Sequence, residues 1–399
     1  MKIVQINTFP YKATGTIMMN IHRRLQKEGY ESYVVWGRGR TSENQYEIAI
    51  LDDLGVKIHG VYTRITDKTG FASWKYTRKL IAKFEQIQPD IIHLHNIHGY
   101  FINVEMLFQY IKKNHIKVIW TLHDCWAFTG HCAYFDAVGC EKWKTGCYQC
   151  EQKYTYPSSS LFDASEWNWN KKKELFTGCD ITVVAPSMWL KGLVEQSFLK
   201  EYTVKVINNG IDTEVFLPRK SDFRVKYQLE KSFIILGVAS EWTERKGLRD
   251  FIRLAEMLSH DRKYKIVLIG LSKKQMNEIP DSILGMERTS NVQELVELYS
   301  AADVYFNPTY EDNYPTTNLE AICCGTPVVT YRTGGSPESI DEETGIILEQ
   351  GAVEEFACWI RYEASKKQVS CEQNGELIKK FSQSNMTENY LKLYAEEVK

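Results

Sequence analysis

The chain has 399 residues, a length that predicts two domains of roughly 200 residues each. Apolar residues make up 43% and charged residues 25%, a balance typical of globular rather than disordered proteins. The formal net charge of −2 gives no reason to expect a nucleic-acid partner. The chain opens on a strand pattern without a signal peptide, and no apolar run is long enough to span a bilayer, so we expect a cytoplasmic protein.

Short β-rich runs alternate with helical patterns along the whole chain. In the first half, strands are predicted at 2–6, 33–36, 91–95, 118–122 and 181–185, and in the second half at 233–237, 266–270, 304–306 and 327–330. Helices are predicted between the strands, among them one over 105–113. Because most of these strands are apolar on both faces, they indicate parallel sheets covered by helices on each side.

Turn-type residues around 208–218 interrupt this alternation and predict a boundary between two domains. We expect an N-terminal domain over 1–206, a C-terminal domain over 207–379 and a helix at about 380–399 that crosses back to the first domain. The predicted fold class is α/β, with two doubly wound, Rossmann-like sheets facing across a cleft. Ligands of such sheets bind at the carboxyl ends of the strands, so functional residues should lie in strand-to-helix loops.

The segment 310–327 has the pattern of such a loop followed by a helix. Pro315 suits the first turn of a helix, and Gly325 suits a left-handed cap at its end. The free N–H groups at Thr316 and its neighbour would form a cradle for an anionic or hydroxyl-rich ligand. Asp312 just before the helix and Glu320 within it could face the same ligand, although the spacing of two acids alone has little specificity.

With Leu-Glu-Ala at 319–321 and Gly-Thr-Pro-Val-Val at 325–329, this segment resembles the retaining glycosyltransferases of family 4, which have the GT-B fold. The resemblance implies that Glu320 binds the ribose of a nucleotide-sugar donor. It also implies that Asp312 and the N–H groups of Asn313 and Tyr314 hold the transferred sugar, beside Pro315 and Thr316. The family usually has Glu where this chain has Asp312, so Glu311 is an alternative. The alternative is that Asp312 and Glu320 are ordinary surface acids on an exposed helix.

Arg245 and Lys246 lie in the loop after the predicted strand 233–237. Cations at this place can neutralise a diphosphate leaving group. The family has a similar Lys-Gly pair before a helix, which supports Lys246, but its arginine normally lies about five residues earlier, where this chain has Glu241. We therefore treat Arg245 as a nearby replacement, with a solvated basic pair as the alternative for both residues.

The loops of the first domain contain further candidates. Gly15 follows the first strand and could let the backbone approach the donor phosphates, or only relieve strain. His123 follows a strand, and the resemblance implies a contact to the donor sugar, although a lone histidine is more often structural. Asp124 could orient that imidazole or contact the acceptor. His95, with its neighbours His93 and His98, is a candidate for acceptor contacts.

A cysteine-rich stretch contains Cys132, Cys140, Cys147 and Cys150. The two-residue gap between the last two is suited to zinc, and four thiolates would complete a tetrahedral site. Irregular spacing in the first half leaves ordinary reduced thiols as the alternative. Bacterial capsule and exopolysaccharide glycosyltransferases of the colanic-acid type look alike in this insert, so the resemblance covers almost the whole chain.

Seven basic residues between 57 and 83 alternate with aromatic residues: Lys57, Arg64, Lys68, Lys75, Arg78, Lys79 and Lys83, with Phe71, Trp74 and Tyr76. Such a surface suits an anionic membrane leaflet, which would make the protein peripheral to the membrane. A solvated basic face is the equally simple interpretation.

The resemblance implies a retaining glycosyltransferase of the hexosyltransferase type. The donor would be a nucleotide-diphosphate sugar and the acceptor a glycan or lipid-linked molecule in cell-surface polysaccharide synthesis. We expect no catalytic metal or other cofactor, apart from the structural zinc considered above. Two alternatives are a nucleotide-sugar 2-epimerase of the same fold and a non-catalytic partner protein that binds sugar nucleotides.

Overall fold

The computed structural model describes residues 1–39, 41–50, 53–362 and 375–397. The chain divides into two compact units: unit 1 contains Met1–Asn208 and the segment from Thr387 onward, and unit 2 contains Asn209–Met386. The chain passes from unit 1 to unit 2 after Asn208, two residues later than the expected domain boundary. It passes back to unit 1 at Thr387, whereas the sequence predicted this crossing at about residue 380. Residues 398–399 of the expected crossing helix lie outside the described residues.

Unit 1 is built on a parallel sheet of seven strands among the described residues, in the order β3-β2-β1-β4-β5-β6-β7. The strands are β1 (Lys2–Asn7), β2 (Glu31–Trp36), β3 (Glu47–Ala49), β4 (Ile91–Leu94), β5 (Lys117–Thr121), β6 (Ile181–Ala185) and β7 (Thr203–Val206). The five predicted strands are confirmed to within about two residues. The two edge strands β3 and β7 were not predicted, because edge strands are only partly buried and lack a continuous apolar run.

Unit 2 repeats this plan with six described strands in the order β10-β9-β8-β11-β12-β13. They are β8 (Phe233–Val238), β9 (Tyr264–Ile269), β10 (Ile283–Met286), β11 (Val304–Asn307), β12 (Val328–Tyr331) and β13 (Gly345–Leu348). All are parallel to their neighbours. The prediction of two Rossmann-like sheets is therefore confirmed, and the carboxyl ends of β8 and β11 come together at one edge.

Helices connect successive strands in both units. Unit 1 contains α1 (Lys12–Lys27), α2 (Asp53–Thr66), α3 (Trp74–Ile87), α4 (Val104–Asn114), α5 (Ser165–Phe176) and α6 (Met188–Val194). Unit 2 contains α7 (Phe223–Lys226), α8 (Leu248–Leu258), α9 (Lys273–Glu278), α10 (Val292–Ala301), α11 (Thr316–Cys323), α12 (Val353–Tyr362) and α13 (Gly375–Phe381). The last helix, α14 (Gln383–Glu396), begins in unit 2 and continues in unit 1.

Each unit has its own apolar core around the sheet. The central strand residues Ile92, Val118 and Val183 of unit 1 are fully buried, as are Leu236 and Val328 of unit 2. Burial of one such side chain contributes about 1.5–3 kcal/mol. The near-continuous apolar strands thus stabilise the fold of each unit. They also fix the positions of the polar loops that follow the strands.

Between β5 and α5 the chain forms an insert, residues 125–163, with three short 3₁₀ turns at Trp126–Phe128, Asp136–Val138 and Lys142–Lys144. The sequence showed no strong hydrophobic pattern over 132–150, yet the insert has its own aromatic cluster. Phe135 packs 4.9 Å from Trp143, and Trp143 is 5.3 Å from Phe128. The indole N–H of Trp169 on α5 donates to the Trp143 carbonyl at 2.9 Å, which joins the insert to the rest of unit 1.

Candidate functional site

The loops after β8 and β11 bring the predicted charged residues of unit 2 together. The loop after β8 ends in a 3₁₀ turn, Glu244–Lys246, closed by Gly247 at φ 75°. A side chain at Gly247 would meet the Pro308 carbonyl at 2.2 Å, so only glycine allows the two loops to approach this closely. This approach places the Lys246 ammonium in an ion pair with the Asp312 carboxylate.

Arg245 joins the same two loops. Its guanidinium donates to the Glu311 carbonyl, while its own carbonyl accepts from the Tyr310 N–H at 2.7 Å. The residue therefore holds the 310–312 segment in place in addition to placing a positive charge there. This role gives a physical reason for an arginine next to Lys246. It does not depend on the arginine that the family normally has about five residues earlier.

The structure decides between Asp312 and Glu311 as the exposed acid of this loop. Glu311 is 2% exposed, whereas the Asp312 side chain retains 17% exposure beside Lys246. Glu311 is thus the poorer candidate. Burial alone would raise the pKa of Asp312, but the charges of Lys246 and Arg245 outweigh it and hold the pKa below its ordinary value.

Helix α11 starts directly after this loop. It begins at Thr316, so Pro315 is its N-cap rather than its first helical residue, and Gly325 follows its end at φ 86°, as predicted for a left-handed cap. Glu320 accepts a hydrogen bond from the Tyr299 hydroxyl at 3.0 Å. Burial raises the pKa of Glu320, against the lowering effect of its hydrogen bonds to Tyr299 and Thr316.

Two predicted backbone contacts are arranged differently from the expectation. The Asn313 N–H, expected to hold the sugar, donates to the Asp312 carboxylate at 2.9 Å. The Tyr314 side chain is only 3% exposed, and its carbonyl accepts from the Asn209 amide at 3.1 Å. Asn313 and Tyr314 therefore shape the loop in this structure, and a direct contact from the Asn313 N–H to a sugar would require Asp312 to turn away.

Sequence reasoning missed the polar side chains beneath α11. The Asn318 amide donates to the Ser336 hydroxyl at 3.1 Å and accepts from the Asn307 amide at 2.8 Å. Tyr299, the partner of Glu320, lies on α10, 21 residues earlier. No sequence spacing connects these residues, because parallel strands bring them together only in the folded sheet.

In unit 1, Gly15 lies in the first turn of α1 rather than in a loop, because the helix already begins at Lys12. A side chain at Gly15 would meet the Phe9 carbonyl at 2.5 Å. Glycine is therefore needed for the fold of the preceding turn. Its contact to donor phosphates stays a prediction.

His123 follows β5 and belongs to a chain of hydrogen-bonded side chains. Its Nε2 lies 3.0 Å from His95 Nδ1, and His95 Nε2 lies 3.4 Å from Gln5 Oε1. With this orientation of Gln5, His95 donates to Gln5 and accepts from His123, which leaves His123 Nδ1 as a hydrogen-bond acceptor. His95 is 1% exposed and uses both ring nitrogens, so the acceptor contact predicted for it does not fit this structure.

His93 lies deeper in the same group. It is fully buried, with Nδ1 2.6 Å from the Tyr394 hydroxyl of α14 and Nε2 2.8 Å from the Thr121 hydroxyl. The Tyr390 hydroxyl completes the group at 2.9 Å from Thr121. His93 is therefore a structural residue that fastens α14 to β4 and β5, and not an acceptor contact.

Burial keeps these imidazoles neutral. It lowers the pKa of His93 and of His123 to about 3, with a smaller contribution from a neighbouring histidine in each case. Burial also lowers the pKa of His95 well below its ordinary value. At neutral pH these three imidazoles are therefore uncharged hydrogen-bonding groups.

One interpretation predicted that Asp124 orients His123. The structure instead pairs Asp124 with His98. Its carboxylate lies 3.3 Å from His98 Nε2 and accepts from the Trp126 N–H at 3.0 Å. The Tyr156 ring from the insert packs 5.9 Å from the His98 ring. The loops after β4 and β5 enclose a cavity of about 10 Å³ here, lined by side chains that include His95, His98, His123 and Asp124.

Four of the five cysteines of the insert, Cys132, Cys140, Cys147 and Cys150, line one cavity of about 20 Å³, which is also lined by His131. The thiols of Cys132 and Cys150 are hydrogen-bonded to each other. Cys147 Sγ accepts from the Gly130 N–H at 3.1 Å. No three His, Cys, Asp or Glu side chains already stand in a metal-coordinating arrangement in the part of the chain that the structure describes.

The basic surface of unit 1 lies on α2 and α3. Six of its seven cations are exposed, Lys68 is half-buried, and Phe71 belongs to the core. Beside the cations, α2 exposes an apolar stripe made of Leu54, Ile58, Val61 and Ile65, each between 42% and 63% exposed. No helix within the described ranges is both long and apolar enough to cross a membrane.

The chain matches two family models, one described as Glycosyltransferase Family 4 over residues 14–215 and one as Glycosyl transferases group 1 over residues 230–362. It is 24% identical to WcaC of Escherichia coli, named as a colanic acid biosynthesis glycosyl transferase, over 99% of both chains. A D-inositol 3-phosphate glycosyltransferase of Corynebacterium aurimucosum is 27% identical over 47% of this chain and 49% of its own length.

Solved structures of the GT-B fold resemble the whole chain. Sucrose-phosphate synthase from Thermosynechococcus elongatus has a TM-score of 0.73 at 15% identity and covers 100% of this chain and 99% of its own. Anabaena HepE in complex with UDP and glucose has a TM-score of 0.68 at 14% identity and covers 99% of both chains. With the family models matched in both units, the chain is a glycosyltransferase of the GT-B fold and belongs to glycosyltransferase family 4.

Proposed function

We propose that this glycosyltransferase transfers a sugar from a nucleotide-diphosphate donor, with retention of the anomeric configuration, to a glycan or lipid-linked acceptor in cell-surface polysaccharide synthesis. The similarity to a relative named for colanic acid biosynthesis supports the polysaccharide part. A structural neighbour that contains UDP and glucose supports a nucleotide-sugar donor. The structure of unit 2 supports the assignment of individual residues.

One observation carries the donor assignment: Lys246 and Arg245 converge on the 311–312 segment directly before the N-terminus of α11. The positive end of a helix and two cations together suit a diphosphate. A bound diphosphate would compete with Asp312 for the Lys246 ammonium and release that carboxylate towards the hydroxyl groups of the sugar. Glu320, inside α11, would bind the ribose.

The proposed reaction needs little covalent chemistry from the protein. The bond between the anomeric carbon and the diphosphate oxygen breaks, a bond to the acceptor oxygen forms on the same face, and the acceptor proton passes to the departing diphosphate. Lys246 and Arg245 stabilise the negative charge that develops on the diphosphate. His123, as a neutral imidazole, keeps its predicted contact to a hydroxyl of the donor sugar.

The surface of unit 1 supports an acceptor presented at a membrane. The exposed stripe on α2 recurs at the spacing of one helix face, and the neighbouring Lys57 and Arg64 lie beside it. No ion pair within the described residues involves any of the seven cations of this surface. Lys68 lies over the Trp167 ring, and the other six cations are exposed and could attract anionic lipids. Exposed apolar residues flanked by cations are typical of helices that lie in the membrane interface.

The donor assignment is tested by incubating the protein with a panel of nucleotide-diphosphate sugars and simple acceptors, while release of the nucleoside diphosphate is recorded. NMR of the product should show the anomeric configuration of the donor. Inverted product would disprove retention, and a new free nucleotide sugar formed without an acceptor would instead identify a 2-epimerase.

The membrane assignment is tested by co-sedimentation with vesicles of phosphatidylcholine alone or mixed with phosphatidylglycerol. Binding should require the anionic lipid and fall by about fivefold for each of Lys75→Glu and Lys79→Glu, since each cation near the surface contributes about 1 kcal/mol. Lys263→Glu and Lys274→Glu in unit 2 are the matched controls. Equal binding to both vesicle types would contradict the proposal.

A further inference from the structure

We infer that the insert of unit 1 binds one zinc ion through the thiolates of Cys132, Cys140, Cys147 and Cys150, and that this ion fixes the segment that contains Tyr156. The inference does not depend on the proposed donor or acceptor. It uses no observation from unit 2.

The first support is the convergence of the four thiols. They come from three separate turns of the insert and line one cavity of about 20 Å³, about the space of one small bound species. Cys132 and Cys150 already touch, although they are 18 residues apart in the sequence. Cys140 and Cys147 line the same cavity, so coordination would bring their sulfur atoms towards the pair formed by Cys132 and Cys150.

The second support comes from the backbone around Cys147. The Gly130 N–H donates to Cys147 Sγ, and a side chain at Gly130 would lie 2.5 Å from Cys147 Cβ and 2.2 Å from the Ser165 carbonyl. Glycine thus allows a main-chain donor to reach the sulfur. A main-chain hydrogen bond of this kind orients a sulfur as a metal ligand, as outer-shell hydrogen bonds do at metal sites.

The third support is a buried lysine, whose pKa is lowered to about 7 by burial. Lys172 of α5 is 1% exposed, and its ammonium donates only to the carbonyls of Trp126 at 2.7 Å and Thr129 at 3.0 Å. It forms no ion pair with a carboxylate in the described part of the chain. A tetrathiolate zinc site has a net charge of −2, and Cys147 and Cys132 are near enough to interact electrostatically with Lys172.

His131 completes the surroundings. Its Nδ1 lies 2.5 Å from the fully buried Asp67 carboxylate, and the Thr155 backbone is also within hydrogen-bonding range of the ring. The imidazole lines the same cavity as the four thiols and is near enough to interact electrostatically with Cys150.

The consequence for the protein lies in Tyr156. Its ring packs 5.9 Å from His98 and 6.4 Å from Tyr100, next to the Asp124 carboxylate that holds His98. The segment reaches this position only a few residues after Cys150. A metal that joins both halves of the insert would therefore hold Tyr156 over the loops after β4 and β5, and its loss would free this side chain.

The test uses the full chain without a histidine tag, produced in zinc-supplemented medium and purified without chelators. Elemental analysis should give about one zinc per chain. Extended X-ray absorption should show sulfur neighbours only, at the ~2.3 Å distance of zinc–thiolate bonds. The variants Cys147→Ser and Cys150→Ser should lose the metal, whereas Cys179→Ser and Cys358→Ser, which alter cysteines outside the insert, should retain it.

Limited proteolysis supplies a readout that does not depend on enzyme activity. Removal of zinc by a chelator should expose cleavage sites within 132–163 and leave unit 2 intact. Zinc content below about 0.2 per chain that does not rise when the metal is added would overturn the inference. A nitrogen neighbour in place of one sulfur would also overturn the four-cysteine assignment, and zinc that persists in Cys147→Ser/Cys150→Ser would identify adventitious binding. If the variants do not fold, metal content and absorption of the wild-type protein decide alone.

Discussion

Unit 1 places histidines at the ends of β4 and β5, where burial holds them neutral. Unit 2 instead places the charged side chains of Arg245, Lys246 and Asp312 in the loops after β8 and before α11. The pKa of His123 is lowered to about 3 by burial. The pKa of Asp312 is lowered instead by Lys246 and Arg245, against the effect of burial. The same fold therefore places charged side chains at these strand ends in unit 2 and neutral imidazoles at the corresponding strand ends in unit 1.

The largest effect is expected for Lys246→Ala, which removes the main positive charge of the unit 2 site. We expect kcat/KM to fall by about 10²–10³, the usual effect of losing one group that stabilises charge in the transition state. Steady-state release of nucleoside diphosphate measures this. Lys263→Ala, an exposed lysine of the same unit, is the control, and equal losses in both variants would contradict the assignment.

The next effect is expected for Glu320→Gln. Loss of a charge-assisted hydrogen bond to the ribose should raise the KM for the donor about 10–100-fold, with a smaller change in kcat. The exposed Glu355→Gln on α12 is the control. A fall in kcat with no change in KM would assign Glu320 to the reacting sugar rather than to the nucleotide.

A third experiment tests the neutral state of the histidines through pH. The pKa of His93 is lowered to about 3, below its ordinary value of 6.5, so below pH 6.5 the unfolded chain takes up a proton that the folded chain refuses. The contribution to stability is therefore complete above pH 6.5 and is lost as the pH falls towards 3. For His93 alone the loss between pH 7 and pH 5 is about 2 kcal/mol.

Urea denaturation of wild type and His93→Gln at pH 7 and pH 5 measures this contribution. The variant should be less sensitive to acid, whereas His260→Gln, which alters an exposed histidine, should behave like the wild type. If all three proteins lose equal stability, the histidine is not held neutral in the folded state.

The smallest effect is expected for His95→Phe, which keeps the volume of the side chain and removes its hydrogen bond to His123. We expect kcat/KM to fall about 2–10-fold, the net value of one hydrogen bond, with unchanged binding of the nucleoside diphosphate. His260→Gln again serves as the control. Weaker binding of the diphosphate to His95→Phe would contradict this separation, because it would show that the histidines of unit 1 also affect the diphosphate site of unit 2.

The two sites differ in how much of each could be predicted from the sequence. The charged site is built from two short segments, 245–246 and 312–320, each of which carries a helix-start pattern. A local pattern is enough to predict such a site. The choice between Asp312 and Glu311 needed the structure, because burial depends on which way the loop turns.

The histidine group could not be predicted in the same way. Gln5, His95, His123 and the tyrosines of α14 lie on four segments separated by dozens of residues. The sequence placed His95 and His123 at strand ends, as observed, but it did not predict the hydrogen bonds of His95 to Gln5 and His123. Hydrogen bonds between strands are fixed by the order β1-β4-β5, which no single segment encodes.

The most direct test of the central claim is hydrogen–deuterium exchange with uridine, guanosine and adenosine diphosphates, each bound at a concentration established by calorimetry. We predict slower exchange in peptides that cover 244–250 and 311–323, and loss of this protection in Lys246→Ala. A diphosphate that binds by calorimetry but protects neither segment would contradict the assignment of the donor site to the loops after β8 and β11.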